Sequence, residues 1–379
     1  MAIVLNQTQE MLRDSALAFL RESAPVSMLR KLRDTRDDTG FSPALWSAFA
    51  ELGFAGVLIP EQYGGSGLGV VEAGVLMEAL GRTLAPTPFF STALLGASLI
   101  SRGGSAAQKA QFLPAIAAGK HLTALAIDEG AAHRPERQAL AAVRQGDGYV
   151  LNGAKVFVID GHIADTLIVV GRTSGNASDR DGVTLFLVPR GAAGIAVERT
   201  VLADARNAAR VRFRDVRVAA DAVLGEAGGG APMLEHALDI ARAALASELV
   251  GIADEAFERT LQYLKERKQF GKIIGEFQAL QHRAAHLFSE IEITRAAVLR
   301  SQQLLDDGPA QPVALVSAAK ARAGSTAMLA VQEGVQMHGG IGMTDEFEIG
   351  FYMKRACAAQ ILLGDTNFHA QRWATLRGY

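Results

Sequence analysis

Cysteine is almost absent: Cys357 stands alone in 379 residues. One thiol excludes an internal disulfide and a C-x-x-C metal site, and a reducing cytoplasm is the expected compartment. A surplus of one charge is lacking too. The chain has 38 Lys plus Arg against 40 Asp plus Glu, a formal net charge of −2. That balance gives no electrostatic reason to expect nucleic acid or an anionic membrane as a partner. Charges interrupt every apolar stretch well before the roughly 20 residues that a membrane span needs, so no insertion is expected. The start, Met1-Ala2-Ile3-Val4-Leu5-Asn6-Gln7, shows no basic leader and no export signal. There is no internal repeat, and no G-x-G-x-x-G opens a helix after a strand. A classical NAD site is therefore not expected.

Hydrophobic residues make up 49% and charged residues 21%, an ordinary globular composition with length for two or three domains. Residues 1 to about 122 read mostly as helix. Leu12, Ala16, Phe19 and Leu20 share one face, and Trp46, Ala50 and Phe54 repeat the pattern. The charged run Arg30 to Asp38 is a solvated helix face or loop. Pro60-Glu61-Gln62-Tyr63-Gly64-Gly65-Ser66-Gly67 breaks the helices. Helical pattern returns over Val70 to Leu84 and from about Ser91 to Ala118. From about His121 the period shortens. Tyr149 to Val158 reads as two strands around a turn at Asn152-Gly153, and Thr166 to Gly171, Val183 to Val188 and Val211 to Phe213 add β segments. Long helices then follow over about 234–269, 276–306, 311–337 and 349–361, the pattern of an antiparallel bundle. The expected division is a helical domain at 1–122, a β domain at 123–229 and a helical bundle at 230–379.

The densest chemical signal is Gln336-Met337-His338-Gly339-Gly340-Ile341-Gly342, where three glycines in four positions let backbone approach a ligand closely. A plain left-handed helix stop at Gly339-Gly340 is the alternative. Arg267-Lys268-Gln269-Phe270-Gly271, followed by Phe277-Gln278, offers a forked guanidinium suited to a pyrophosphate and a flat apolar ring. Its alternative is a helix end capped at Gly271. Asp239 and Arg242, spaced by three, share a helix face as an anion-binding pair or an ordinary surface ion pair. His282 and His286 have metal-capable spacing but no glutamate between them, so no metal site is expected. Ser317-Ala318-Ala319-Lys320 reads as helix filler, and Cys357 as a buried small residue.

Together these runs resemble the acyl-CoA dehydrogenases, a family of FAD enzymes. The resemblance rests on four segments in the family's order: Leu52-Gly53-Phe54 with Pro60 to Gly65, Tyr149 to Lys155, Arg267 to Gln278, and Gln336 to Gly350. It implies an α+β multidomain fold with an N-terminal helical domain, a central β-barrel and a C-terminal four-helix bundle. It further implies FAD as cofactor, held by Arg267, Gln269, Phe270, Phe277 and Gln278 reaching a neighbouring subunit's cofactor, and by Gln336, Met337, His338, Gly339 and Gly340. Asp239, Arg242 and the peptide of Gly350 would contact an acyl-CoA substrate. The implied reaction places a Cα=Cβ double bond in the acyl group, within fatty acid or steroid catabolism. Electrons would pass to an electron-transfer flavoprotein, and the assembly would be a homo- or hetero-tetramer.

Several positions depart from the family pattern. Its "W-I-T" reads Phe157-Val158-Ile159, so the flavin-bonding threonine hydroxyl is lost. Its "T-E-P-x-A-G-S" aligns only loosely with Asp128 to Arg134, and its "E-G-T" reads Leu363-Gly364-Asp365. The family's two alternative base positions align with Gly350 and Ala241, neither of which accepts a proton. Glu348 and Glu248 are the stand-ins within reach by sequence. The alternative function is therefore a base-lacking, non-catalytic subunit of a heteromeric α2β2 enzyme.

Overall fold

The computed structural model describes residues 3–308 and 312–379. Its helices are α1 (Gln7–Ser23), α2 (Val26–Asp34), α3 (Pro43–Glu51), α4 (Val70–Thr83), α5 (Ala97–Gly103), α6 (Ala106–Ala117), α7 (Ala231–Glu266), α8 (Gln278–Asp306), α9 (Pro312–His338), α10 (Ile349–Ile361) and α11 (Thr366–Leu376). Its strands are β1 (Thr123–Ala126), β2 (Ala141–Gln145), β3 (Gly148–Ile159), β4 (Thr166–Arg172), β5 (Val183–Pro189), β6 (Ile195–Val201), β7 (Asn207–Ala219), β8 (Val223–Leu224), β9 (Lys268–Gln269) and β10 (Lys272–Ile273). The chain forms two compact units. One comprises Met1–Lys31, Val70–Ala85 and Arg242–Tyr379; the other comprises Leu32–Gly69 and Pro86–Ala241.

The first unit is helical, and its seam is built from glycine. A Cβ on Gly81 would stand 2.3 Å from the Glu248 carbonyl oxygen, and one on Gly251 would stand 2.1 Å from that of Glu78. Only glycine lets the backbones of α4 and α7 approach so closely. Asp306, at the end of α8, accepts from the free N–H groups of Val70 and Val71 at 2.7 and 3.1 Å, which caps α4. Arg82 on α4 pairs with Asp254, Glu255 and Glu258 of α7. Arg295 on α8 joins Glu78 and Asp254, and these carboxylates hold its guanidinium in the charged form.

The second unit carries an eight-stranded mixed sheet in the order β6-β7-β3-β2-β4-β5-β8, with β1 pairing parallel to β4. The expected barrel is corrected here. Strands β6 and β8 stand at opposite ends of the pairing order and do not close on each other. The Asn152-Gly153 turn is corrected too. Residues 148–159 form one strand, and the reversal falls at Gly146, whose φ is +62°. Asn152 instead exchanges hydrogen bonds with Asp215 at 3.1 and 2.9 Å, where β3 and β7 slip register. An Asn-Gly pair suits a tight hairpin, and here it serves a bulge. Leu140, Leu151, Leu167, Val169, Phe186, Val211 and Phe213 fill the inner face.

Gly251→Ala should lower stability by about 1–3 kcal/mol, because its methyl meets backbone that cannot swing aside. Urea unfolding checks this. An unchanged midpoint would contradict the close α4–α7 seam.

Candidate functional site

Three contacts fix how the C-terminal segment lies along α7. Glu348 accepts from Arg259 Nη1 at 2.6 Å. Arg355 Nη1 donates to Glu248 at 3.3 Å, with both side chains buried. Arg242 places its guanidinium 5.8 Å from the Phe368 ring centre. The segment thus runs antiparallel to α7, with Gly350 at the Arg259 end and Leu363 to Phe368 at the Arg242 end. Arg242 and Arg259 are 17 residues apart, about 26 Å at a helical rise of about 1.5 Å.

This register separates two residues expected to share a site. Gly350 lies in the first turn of α10 beside Glu348 and Phe351, not with Arg242. The position at the Arg242 end is Leu363, where the family's "E-G-T" would place its glutamate. Leu363 is buried and left-handed, with φ +56°. The two expected stand-ins are both engaged in ion pairs. Glu348 is held by Arg259, far along the helix. Glu248 is buried against Arg355, and its backbone carbonyl sits under Gly81.

The turn at Leu363-Gly364 is held by groups that sequence reasoning passed over. Lys320 Nζ donates to the carbonyls of Gln360 and Gly364 at 2.8 and 3.2 Å. His369 Nε2–H donates to Leu363 O at 3.1 Å, which leaves Nδ1 facing Ser317 Oγ at 3.5 Å. Arg372 donates to the same hydroxyl at 2.7 Å. Burial first, then the Arg242 charge, pulls the Lys320 ammonium down to about 7. Burial, then Lys320 and Arg242, pushes His369 down to about 2, so it is neutral. The S-x-x-K run is therefore a buried clamp rather than filler. The alternation of Ser317 and Lys320 with apolar residues was visible, but their partner helix α11 was not anticipated.

At the other end of α9, the glycine-rich run divides. Gln336, Gly339 and Gly340 are exposed, and a Cβ at either glycine would meet nothing within 4 Å. Met337 and His338 have buried side chains instead. His338 stacks between Tyr263 and Phe347 at 4.5 and 4.6 Å, and its Nδ1–H donates to Gly334 O at 2.6 Å. Helix α7 ends at Glu266, earlier than expected, and Arg267 leads into the β9–β10 hairpin. Phe270 sits at its tip with φ +54° and 90% exposure, while Phe277 packs edge-on behind it at 6.2 Å. Arg267, Gln269 and Gln278 are exposed nearby. Asp239 and Arg242 are buried. Cys357 is exposed, which corrects its expected burial. His282 and His286 lie exposed on α8.

In the sheet unit, Lys155 is fully buried and donates to Ile127 O, Glu129 and Gln138 at 3.0, 2.7 and 2.6 Å. Burial pulls its ammonium down to about 8 against the pull of Glu129. Glu129 also accepts from the backbone of Ala139 and Leu140, so this lysine pins the loop over 127–140. Just beyond, β3 slips register between Lys155 and Val158, and Phe157 stands there with φ +51° and 47% exposure. Asp160 follows with φ +57°, accepting from Ser91 Oγ at 2.7 Å.

Comparison with known proteins places this architecture. The acyl-CoA dehydrogenase N-terminal, middle and C-terminal domain profiles match residues 6–120, 128–216 and 228–375. Cyclohex-1-ene-1-carbonyl-CoA dehydrogenase of Syntrophus aciditrophicus is 33% identical over 361 residues, 94% of this chain and 85% of that protein. Butyryl-CoA dehydrogenase of Megasphaera elsdenii superposes with a TM-score of 0.91 at 27% identity, over 100% of each chain. A variant of the steroid ACAD Tcur3481-Tcur3483 gives 0.87 at 31% identity, over 98% of each chain. The chain belongs to the acyl-CoA dehydrogenase family.

Burial raises the Asp160 carboxyl to about 6, against an ordinary 3.8. A raised folded value means that this group's contribution to stability is greatest below about pH 4 and is lost as pH climbs through about 6. Asp160→Asn should flatten that slope and stabilise the protein at pH 8 by on the order of 2 kcal/mol. Unfolding midpoints measured from pH 4 to pH 8 would test it; parallel profiles for both proteins would contradict it.

Proposed function

We propose that this chain binds FAD and an acyl-CoA thioester in the manner of its family, but supplies no proton acceptor of its own. It would act as the base-lacking subunit of a heteromeric acyl-CoA dehydrogenase, with electrons leaving to an electron-transferring flavoprotein. FAD, when bound, supplies the hydride acceptor of the family's reaction. The residues present fit it. Gly339 and Gly340 offer open backbone, and Phe270 is an apolar ring that the chain's own folding leaves in water. Arg267, Gln269 and Gln278 add polar groups beside that ring, and the backbone around Phe157 would replace the lost threonine hydroxyl. Phe270 reaching a second copy, or a related chain, fits a tetramer.

The observation that carries the base-lacking reading is the apolar pair at the Arg242 end of α7. Two alternative base positions serving one reaction must converge on one substrate carbon. Ala241 precedes Arg242 in the chain, and the Leu363 carbonyl meets His369, the residue after the Phe368 ring that faces Arg242, whereas Gly350 is at the far end. Ala241 is 0% and Leu363 5% exposed, so each position presents a buried hydrocarbon side chain in place of a carboxylate. What the chain retains is recognition: a buried guanidinium suited to a phosphate or carboxylate, and a turn clamped beside it. The cyclic acyl group named for the Syntrophus relative and the steroid of the Tcur pair support a ring-bearing thioester as substrate. No described helix is long and apolar enough to cross a membrane.

The test is anaerobic flavin bleaching by straight-chain and cyclic acyl-CoAs. The isolated chain should hold flavin without bleaching. Leu363→Glu or Ala241→Glu should accelerate bleaching by about 10²-fold or more, the usual worth of a positioned base. Gly350→Glu should not, although a side chain there has open space. Rapid bleaching of the unmodified chain would overturn the reading, and activity from Gly350→Glu alone would overturn the assigned geometry.

A further inference from the structure

Strand β3 ends in backbone that local preference disfavours. Phe157 and Asp160, three residues apart, both stand in the left-handed region, with φ +51° and +57°. Aspartate tolerates that conformation better than most residues, and phenylalanine does not. The pairing of β3 with β7 also slips between Lys155 and Val158. Backbone bonds hold the result in place. Asp160 N–H donates to Asn207 O at 3.1 Å, and Asp160 O accepts from the N–H groups of Ile163 and Ala164 at 3.0 and 3.1 Å. Strain that persists because its surroundings over-determine it is a mark of functional sites.

The Asp160 side chain is tethered at one oxygen only. Ser91 Oγ donates to Oδ2 at 2.7 Å and also lies 3.1 Å from Pro88 O. Ser91 belongs to Phe89–Gly96, an eight-residue π-helix, a rare element found mostly at functional sites. Oδ1 has no hydrogen-bond donor among the described residues. A carboxylate can accept about four hydrogen bonds, and this one receives a single one. Asp160 is partly accessible, so Oδ1 can be reached. Burial raises the carboxyl to about 6, and the Ser91 bond and the Arg206 charge oppose that rise without cancelling it. The group is short of donors.

We infer that Asp160 Oδ1 accepts a hydrogen bond from bound flavin and is the side-chain contact that replaces the lost threonine hydroxyl. Phe157-Val158-Ile159 stands where the family carries its flavin-bonding "W-I-T", so Asp160 directly follows the residue that lost the hydroxyl. A flavin offers the isoalloxazine N3–H and the ribityl hydroxyls as donors, which is what Oδ1 lacks and what the Ile159 side chain cannot accept. This rests on the flavin-binding reading above and adds a named side chain to it. With Oδ1 on the flavin and Oδ2 on Ser91, neither oxygen is left as a proton acceptor for substrate, in keeping with the base-lacking reading.

The experiment titrates FAD into the flavin-free full chain and follows quenching of flavin fluorescence, with the visible spectrum of the bound flavin recorded at saturation. Asp160→Ala should weaken FAD binding by about tenfold or more and shift the flavin absorbance bands. Asp160→Leu, close to aspartate in size and without an oxygen, should behave likewise. Asp160→Asn should stay within about threefold, because its amide N–H can donate to Ser91 and leave the amide oxygen in the Oδ1 place. Ser91→Ala should also stay within about threefold, because it removes the Oδ2 tether and leaves Oδ1. A merely structural link between Asp160 and Ser91 would instead make the two alanine variants lose affinity alike. Melting of each flavin-free variant serves as the folding control. Equal losses in the two alanine variants, or unchanged affinity and spectrum in Asp160→Ala and Asp160→Leu, would overturn this inference alone. Failure of the unmodified chain to bind FAD would overturn it together with the functional reading.

Discussion

The antiparallel register of the C-terminal segment on α7 is the constraint on which the site depends. A 36-residue helix is a ruler, because each residue advances by a fixed rise. Glu348, Arg355 and Phe368 meet it at Arg259, Glu248 and Arg242 in turn. The middle contact is a buried ion pair. Breaking such a pair by removing one partner leaves an uncompensated charge, so a one-turn slip of α10 carries a heavy penalty. The outer contacts then say which residues share an end. Chemistry placed at Leu363 and at Gly350 would be chemistry at two different places.

The sequence made the long elements legible and the close geometry less so. Helices α7 to α10 announced themselves by period and length, and their ends fell within a few residues of expectation. Helix α11 did not, because its start rests on Asp365, whose carboxylate accepts from Phe368 N at 2.8 Å, rather than on a strong apolar stripe. Asn152-Gly153 has the chemistry of a hairpin turn, and local sequence cannot tell whether Asp215 will be present across the strand to convert it to a bulge. His338 adjoins two glycines in the sequence, which says nothing of where its side chain lies. Its ring fills a gap between Tyr263 and Phe347, and that depends on neighbours 75 residues upstream and 9 downstream. That Gly350 lies at the Arg259 end of α7 could not be read from the sequence for a simpler reason: a motif gives order along the chain, and only a packed helix converts order into distance.

Buried cations on this scale require a reason. Arg242, Lys320, Arg355 and His369 are all nearly inaccessible, and desolvating a charge costs far more than burying hydrocarbon. The unit meets that cost in two ways. Glu248 and Arg355 pair, and Lys320 and His369 shed positive charge under burial and mutual repulsion. A lysine close to neutral still donates hydrogen bonds, so it holds the Gly364 carbonyl without adding a full charge beside Arg242. Leu363 is left-handed and Gly364 has φ +107°, so this turn needs outside support. The buried polar groups therefore fix a backbone that local preference disfavours.

The apolar replacements at Ala241 and Leu363 differ in kind from the open space at Gly350. A site that had merely decayed would be expected to leave a hole or a polar remnant where a carboxylate once sat. Here Ala241 and Leu363 are both nearly inaccessible, and the turn that carries Leu363 is clamped by buried polar groups. Burial of hydrocarbon is stabilising in its own right. The same chain leaves Phe270 in water, at a cost to the isolated molecule. Hydrocarbon is thus buried at the Arg242 end of the helix, while an aromatic ring is left in water at the hairpin tip. That division matches the subunit role proposed above, in which the proton would be removed elsewhere.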